Sequence, residues 1–300
     1  MKPPPFGYHD PRTVPEVTGL LASLENSKLL AGGQSLMPML NMRLVLPDHL
    51  IDLGRVEGLA YIRETTGEGK SDGDGESAID IGAMTRQSDI EFSALVRERC
   101  PLMHEAILEV GHRQTRNRGT LGGSLCHLDP AAELVAVAAA LDATVTVTAA
   151  AGGRAIAMAD FPLAYMTPAI EPGELVTSVR FPLWAKGHGY AFVEFARRHG
   201  DFAIVSAAAL LEQDAGGRIS RVALALGGVA PAPLRLREVE RALLGEVVSA
   251  ALLREACEVC RNIEAMEDVH APSAYRRQLA TVMARRALEK AQARLAGAAK

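Results

Sequence analysis

The sequence has 300 residues, 48% of them hydrophobic, and 32 lysine and arginine residues against 36 aspartate and glutamate residues give a formal net charge of -4 at pH 7. This length and composition predict a globular protein of two or three compact units. The acidic balance argues against nucleic acid as a partner, because binding a phosphate backbone requires a basic face. No stretch approaches the roughly 20 apolar residues of a membrane span, and the N-terminus has no apolar signal region, so we expect a cytoplasmic protein.

The start of the chain predicts an α/β unit. Apolar residues at helical spacing predict a helix over residues 13–25, and a short buried strand follows over 28–31. Ser35 is the expected N-cap of a helix that runs to Leu44. Residues 49–53 predict a further strand.

The next part of the chain predicts a hairpin and then helices. Residues 65–77 are rich in Gly, Asp, Glu and Ser and predict a hairpin tip before a strand over 78–83. Thr85 is expected to cap a helix over 86–97, and another helix is expected over 101–110.

A basic run of nine residues, 111–119, contains three arginines and one histidine. Such a run in an acidic protein suits either a solvated loop or an approach to phosphate and partner carboxylates, and both interpretations stay open. After it, Asp129 is the expected cap of a helix that reaches Leu141. A strand over 144–148 is expected to turn back at Gly152 and Gly153.

The last third of the chain predicts a β-hairpin followed by helices. Apolar strands over 203–211 and 218–226 are joined by the turn sequence Asp214-Ala215-Gly216-Gly217. Helices are then expected over 234–244, 249–263 and 274–295.

Four cysteines are interpreted as reduced thiols, because they are too few and too unevenly placed for a disulfide framework. Cys257 and Cys260 form a CxxC, which could be half of a metal site or a redox pair. No second pair completes such a site, and the surrounding residues predict a helix that buries them. No metal ligands are therefore assigned, and any iron in the system is expected in another chain.

Two glycine-rich segments carry the strongest chemical signal. The N-terminal glycine segment is residues 31–35 (AGGQS), and the central glycine segment is residues 120–124 (TLGGS). Each places two adjacent glycines before a predicted helix. Because glycine lacks a Cβ, backbone N–H groups there can approach an anion closely, and a helix N-terminus favours negative charge. The pair predicts a diphosphate held from two sides.

The same segments carry a family resemblance. Residues 31–44 (AGGQSLMPMLNMRL) and 116–134 (RNRGTLGGSLCHLDPAAEL) resemble the two FAD-binding signatures of the FAD-binding medium subunit of molybdenum hydroxylases, the xanthine dehydrogenase and carbon monoxide dehydrogenase family. Residues 195–203 (FARRHGDFA) are similar to a segment that opens the C-terminal domain of that family. The order and spacing of the three segments agree with the family over essentially the whole chain.

The resemblance implies an α+β protein with a PCMH-type FAD-binding domain. Its two α/β subdomains are expected over residues 1–55 and 56–177, followed by a C-terminal domain over 178–300 with a three-stranded antiparallel sheet and helices. Ser124 replaces a commoner asparagine, and Cys126 a commoner alanine. Glu194 falls where some relatives place a basic residue near the flavin, and it is given no role. The residues expected to bind FAD are Leu30, Ala31, Gly32, Gly33, Gln34, Ser35, Leu36, Met37, Thr120, Leu121, Gly122, Gly123, Ser124, Asp129, Glu133 and Val176.

The function implied by the resemblance is that of an electron-transfer subunit. FAD would take electrons from a [2Fe-2S] small subunit, which receives them from a molybdopterin-binding large subunit, and pass them to NAD, a quinone or oxygen. A dimer of heterotrimers is expected. The redox chemistry belongs to the cofactor, so no catalytic residue is assigned, and His127, His199 and Asp201 are interpreted as structural or exposed. The alternative is a free-standing FAD-dependent oxidase or reductase of the same fold.

Overall fold

The computed structural model describes residues 1–66 and 77–298, with side chains described as far as residue 295. Its first unit is a parallel sheet in the order β1-β3-β2, with two helices in the connections. Thr13 caps the first helix by accepting a hydrogen bond from the Glu16 amide, which confirms the predicted start of that helix. The elements are β1 (Gly7–His9), α1 (Val14–Ser23), β2 (Ser27–Leu30), α2 (Leu36–Asn41) and β3 (His49–Asp52).

The second unit is an antiparallel sheet in the order β4-β5-β10-β6-β7, with helices between β5 and β6. The antiparallel pairing of β4 with β5 agrees with the predicted hairpin, although residues 67–76 of its predicted tip lie outside the described residues. The elements are β4 (Ile62–Thr65), β5 (Ala78–Gly82), α3 (Gln87–Phe92), α4 (Ala94–Arg99), α5 (Pro101–Ile107), α6 (Arg113–Arg116), α7 (Leu121–His127), α8 (Glu133–Ala140), β6 (Thr144–Ala149), β7 (Gly152–Ala157), β8 (Pro162–Ala164), β9 (Thr167–Pro168) and β10 (Leu175–Pro182).

The third unit is an antiparallel sheet in the order β11-β12-β13-β14 and a set of helices. The three long strands agree with the expected sheet, and a two-residue strand adds a fourth at its edge. The elements are β11 (Gly189–Phe195), β12 (Val205–Gln213), β13 (Ile219–Gly227), β14 (Leu234–Arg235), α9 (Arg237–Leu243), α10 (Ala250–Cys257) and α11 (Ser273–Ala298).

The third sheet is covered on both faces, which explains why β12 is a continuous apolar run. Ala208 and Leu210 pack into the core of the second unit, whereas Ala207, Ala209 and Leu211 pack against the C-terminal helices. A strand buried on both faces has no polar alternation. The sheet therefore joins the second and third units through a shared hydrophobic core.

Several helix starts differ from the sequence prediction because short polar side chains form other hydrogen bonds. Thr85 does not cap a helix: its hydroxyl bonds the backbone of Tyr61, and α3 begins after Arg86. Ser35 is the N-cap residue of α2 as predicted, but it already has helical backbone angles and its side chain makes no capping hydrogen bond. Ser93, not identified from the sequence, caps α4 through the Val96 amide and divides the predicted helix over 86–97 in two.

Two turns also differ from the prediction. The hairpin between β6 and β7 turns at residues 150 and 151, and Gly152 is already the first residue of β7. The predicted helix over 234–244 begins only at Arg237, because Arg235 lies in β14, where its guanidinium bonds the carbonyl of Ala139 and the carboxylate of Asp142.

The predicted border at residue 177 falls inside β10, and the division of the chain into three domains at the stated borders stays a prediction. Within residues 1–66 and 77–298, no helix is long and apolar enough to cross a membrane.

Candidate functional site

The two glycine segments lie in contact. A Cβ on Gly32 would lie 2.3 Å from the carbonyl oxygen of Arg118, and a Cβ on Gly123 would lie 3.4 Å from the Cβ of Ala31. The first distance is too short for any side chain, so Gly32 is required for the close approach of the two backbones. Segments almost ninety positions apart in the sequence therefore form one site, which we call the glycine contact.

The N-terminal glycine segment presents backbone N–H groups without internal partners. Gly33 has a φ of +75°, a conformation that favours glycine, and the segment leads directly into α2. Among the described residues, no acceptor is found for the amides of residues 32–36. Unpaired N–H groups at a turn of this kind suit the oxygens of an anionic ligand.

Residues 83–87 hold the central glycine segment in place through backbone hydrogen bonds. The amide of Gly122 donates to the carbonyl of Ala83 at 2.8 Å, and the amide of Leu121 donates to the carbonyl of Thr85 at 3.1 Å. A Cβ on Gly122 would lie 2.6 Å from the Cβ of Ala83, so the helix packs directly on that backbone. Thr120 caps α7 by accepting from the amide of Gly123 at 3.1 Å. The start of α7 is therefore held in one position.

Arg86 and Arg116 hold the loop that leads into the central glycine segment, and neither was predicted to have this role. Arg86 donates to the carbonyl of Arg118, the atom against which Gly32 packs. Arg116 is 8% exposed and forms an ion pair with the buried carboxylate of Glu91 at 2.7 Å. The basic run is therefore only partly a solvated, cationic surface, because its central arginine, Arg116, is buried and pairs with Glu91.

The remaining predicted site residues lie beside α7. Glu133 begins α8 and Val176 lies in β10, and both of these elements pack against α7. Val176 is buried in the core of the second unit. Asp129 does not cap α8: its carboxylate accepts from the Ala131 amide, and α8 begins four residues later. Of the predicted residues, Gly123 and Ala31 approach each other across the site, and Asp129, Glu133 and Val176 lie around α7.

Two buried carboxyl groups lie where the third sheet meets α8. Burial raises the pKa of Glu133 to about 7 and that of Glu194 to about 8, and in each case the charge of Glu109 raises it further. Glu194 and Ser206 are paired across β11 and β12, and Oε2 of Glu194 and Oγ of Ser206 are buried without a partner among the described residues. Glu194 was assigned no role from the sequence, and only its position in the apolar strand β11 could have indicated that its carboxyl group is buried.

The thiols and the histidine near the site are electrically neutral groups at neutral pH. Burial raises the pKa of Cys126 to about 12 and lowers the pKa of His127.

Cys257 and Cys260 are buried free thiols whose pKa values burial also raises to about 12. In the part of the chain that the structure describes, no three His, Cys, Asp or Glu side chains come together as a metal site.

Comparison with known proteins gives the family. Residues 4–184 match the FAD binding domain in molybdopterin dehydrogenase, and residues 190–291 match the CO dehydrogenase flavoprotein C-terminal domain. The chain is 39% identical over 293 residues to the 6-hydroxypseudooxynicotine dehydrogenase complex subunit alpha of Paenarthrobacter nicotinovorans, covering 97% of this chain and 96% of that protein.

Two carbon monoxide dehydrogenases have a comparable sequence identity to this chain. The chain is 36% identical over 296 residues to the carbon monoxide dehydrogenase medium chain of Afipia carboxidovorans, covering 98% of this chain and 99% of that one. Its fold superposes with a TM-score of 0.90 on the structure of carbon monoxide dehydrogenase from Hydrogenophaga pseudoflava which lacks the Mo-pyranopterin moiety of the molybdenum cofactor. The two chains are 36% identical, and the match covers 98% of this chain and 99% of that chain.

The chain therefore belongs to the family of FAD-binding medium subunits of molybdenum hydroxylase-type dehydrogenases. FAD is its cofactor, and it is an oxidoreductase subunit. The glycine contact fits this cofactor, because a diphosphate needs unpaired N–H groups and a surface free of Cβ atoms.

Proposed function

We propose that this chain is the electron-transfer subunit of a molybdenum-containing hydroxylase or dehydrogenase, and that it binds FAD at the glycine contact. The observation that carries the proposal is the approach of Gly123 to Ala31, which unites the two segments expected to hold the diphosphate. The similarity of nearly the whole chain to proteins named as dehydrogenase subunits supports the electron-transfer role. When bound, FAD supplies the redox chemistry, since its ring system accepts electrons singly or in pairs.

The residues of the chain bind and orient the cofactor. The amides of Gly33, Gln34 and Ser35 would donate to one side of the diphosphate, and the start of α7, with Gly123 and Ser124, would face the other side. Thr120 would bind beside the diphosphate while its hydroxyl caps α7, and Arg86 would position the loop before it. Glu133 and Val176 would lie near its periphery, beside α7.

The proposal includes partners that supply and remove electrons. A molybdopterin-binding large subunit would oxidise the substrate, and a [2Fe-2S] small subunit would pass the electrons to this chain, within a dimer of heterotrimers in the cytoplasm. The external acceptor would be NAD, a quinone or oxygen. The names of the relatives, among them a complex subunit and a medium chain, support an assembly of several subunits.

Purification of the tagged chain from its native cells tests this proposal. The expected result is the recovery of two further chains together with FAD, iron and molybdenum, and the isolated chain should carry FAD but no iron. Recovery of the FAD-loaded chain alone, with turnover of an organic substrate by the isolated chain, would favour the alternative of a free-standing oxidase or reductase.

A further inference from the structure

A cavity of about 650 Å³ lies where the second unit passes into the third. Its walls come from the junction of α4 and α5, the connection between β10 and β11, the first residues of β11 and the end of α11. The volume falls within the roughly 300–1,000 Å³ typical of small-molecule sites. None of the residues of the two glycine segments lines this cavity, so it is separate from the glycine contact.

The cavity has an aromatic wall whose rings are tilted against one another, by 45° between Trp184 and His188 and by 55° between His188 and Tyr190. The rings of Trp184 and His188 have centroids 6.0 Å apart, and those of His188 and Tyr190 are 5.9 Å apart. The Arg294 guanidinium lies over the Tyr190 ring at 4.1 Å, and both of its terminal nitrogens bond the carboxylate of Glu105, at 2.7 and 3.0 Å. A wall whose side chains are fixed before binding loses little entropy when a flat ring stacks on it.

The cavity also has two exposed cations without an ion-pair partner among the described residues. Four cationic side chains and one carboxylate, Glu98, line it. Arg99 pairs with Glu64 and Arg294 pairs with Glu105. In contrast, Arg97 and Lys186 form no ion pair with any described residue. The indole N–H of Trp184, a residue only 5% exposed, also lacks an acceptor within the described part of the chain. Because that nitrogen is itself buried, the two exposed cations Arg97 and Lys186 are the polar groups that a ligand could reach.

We propose that this cavity binds a small ligand with a flat aromatic base and a phosphate, of the size of a nucleoside monophosphate. The base stacks beside His188 and Tyr190, and the phosphate is held by Arg97 and Lys186. Stacking of a base on aromatic and guanidinium planes and pairing of phosphate with cations are the contacts that such a ligand requires. Because Arg97 belongs to the second unit and Tyr190 to the third, the ligand would also stabilise the junction between them.

Titration calorimetry on the FAD-loaded chain tests the proposal, with AMP as the probe. We expect saturable binding of AMP with no release of FAD. Adenosine, which lacks the anion, and inorganic phosphate, which lacks the base, should each bind at least about tenfold more weakly, a difference of about 1.4 kcal/mol. The variants Arg97→Glu and Lys186→Glu should each weaken AMP binding by at least about tenfold.

Arg254→Glu is the matched control, because it makes the same charge change on an exposed part of α10 outside the cavity. It should bind AMP as the unaltered chain does. The proposal is overturned if AMP does not bind at concentrations up to about 10 mM, if phosphate alone binds as tightly as AMP, if AMP displaces FAD, or if both cavity variants bind AMP undiminished.

Discussion

Gly123 faces Ala31 across the glycine contact, where a Cβ on Gly123 would lie 3.4 Å from the Cβ of Ala31 and 2.7 Å from Oγ1 of Thr120. The same threonine oxygen accepts the hydrogen bond that caps α7. A Cβ at position 123 would therefore displace the capping oxygen of Thr120, whereas its distance to the Cβ of Ala31 is an ordinary van der Waals contact.

Gly33→Ala is expected to weaken FAD binding by at least about tenfold. The left-handed conformation of Gly33, with a φ of +75°, costs an alanine about 1–2 kcal/mol, and relaxation of that strain would turn the neighbouring amides. The measurement is the dissociation constant of FAD from the reconstituted chain. Gly58→Ala is the matched control, since Gly58 has a φ of +77° and open space around it. If Gly58→Ala weakens FAD binding as much as Gly33→Ala, the placement of the site is wrong.

Thr120→Ala is expected to lower the free energy of unfolding by about 1 kcal/mol, because α7 loses its N-cap. Thr120→Ser keeps the capping oxygen and should recover most of that stability. Urea unfolding of the two variants measures the difference. Equal stability of the alanine and serine variants would show that the cap contributes nothing.

Arg116→Met is expected to lower the free energy of unfolding by about 3–5 kcal/mol, because it leaves the Glu91 carboxylate buried without its cation. The double variant Arg116→Met/Glu91→Leu should regain much of this loss. As a control, Arg261→Met breaks an exposed ion pair with Glu258 and should cost about 0–1 kcal/mol. A similar small loss for Arg116→Met would contradict a structural role for the buried pair.

Glu194 is expected to make stability dependent on pH. Burial raises the pKa of Glu194 to about 8 in the folded chain, above the ordinary value of 4.5, so the folded chain holds its proton more tightly than the unfolded chain does. The resulting stabilisation is fully present below the ordinary pKa and is lost as the pH rises to about 8. Glu194→Gln should therefore show a smaller loss of stability over this interval. Glu255→Gln, on the exposed face of α10, is the control. Parallel stability curves for Glu194→Gln and the unaltered chain would contradict the burial of this carboxyl group.

Many of the strands and helices and the two glycine segments could be predicted from the sequence, because their signals are local, whereas the strands β1, β10 and β11 were not predicted. Apolar spacing identified α1, and glycine pairs before helices identified α7 and the turn before α2. The caps at Thr85 and Asp129 were wrong because each side chain found another partner, the backbone of Tyr61 and the amide of Ala131. Competition between such bonds is decided by tertiary structure.

The long-range features of the site could not be predicted. The partner of Arg116 lies 25 residues away, and no local pattern distinguishes it from the exposed arginines around it. The need for Gly32 follows from the carbonyl of Arg118, which only the folded chain brings close. Glu194 looks like an ordinary charged residue in a strand until the packing of β11 against the second unit is known.

Hydrogen–deuterium exchange of the chain with and without FAD tests the placement of the cofactor most directly. The amides of residues 32–36 have no acceptor among the described residues, so they should exchange rapidly in the FAD-free chain. We predict that FAD slows exchange in residues 32–36 and at the start of α7, and has a smaller effect on α9 and α10. Strong protection elsewhere, with unchanged exchange in both glycine segments, would contradict the proposed FAD site.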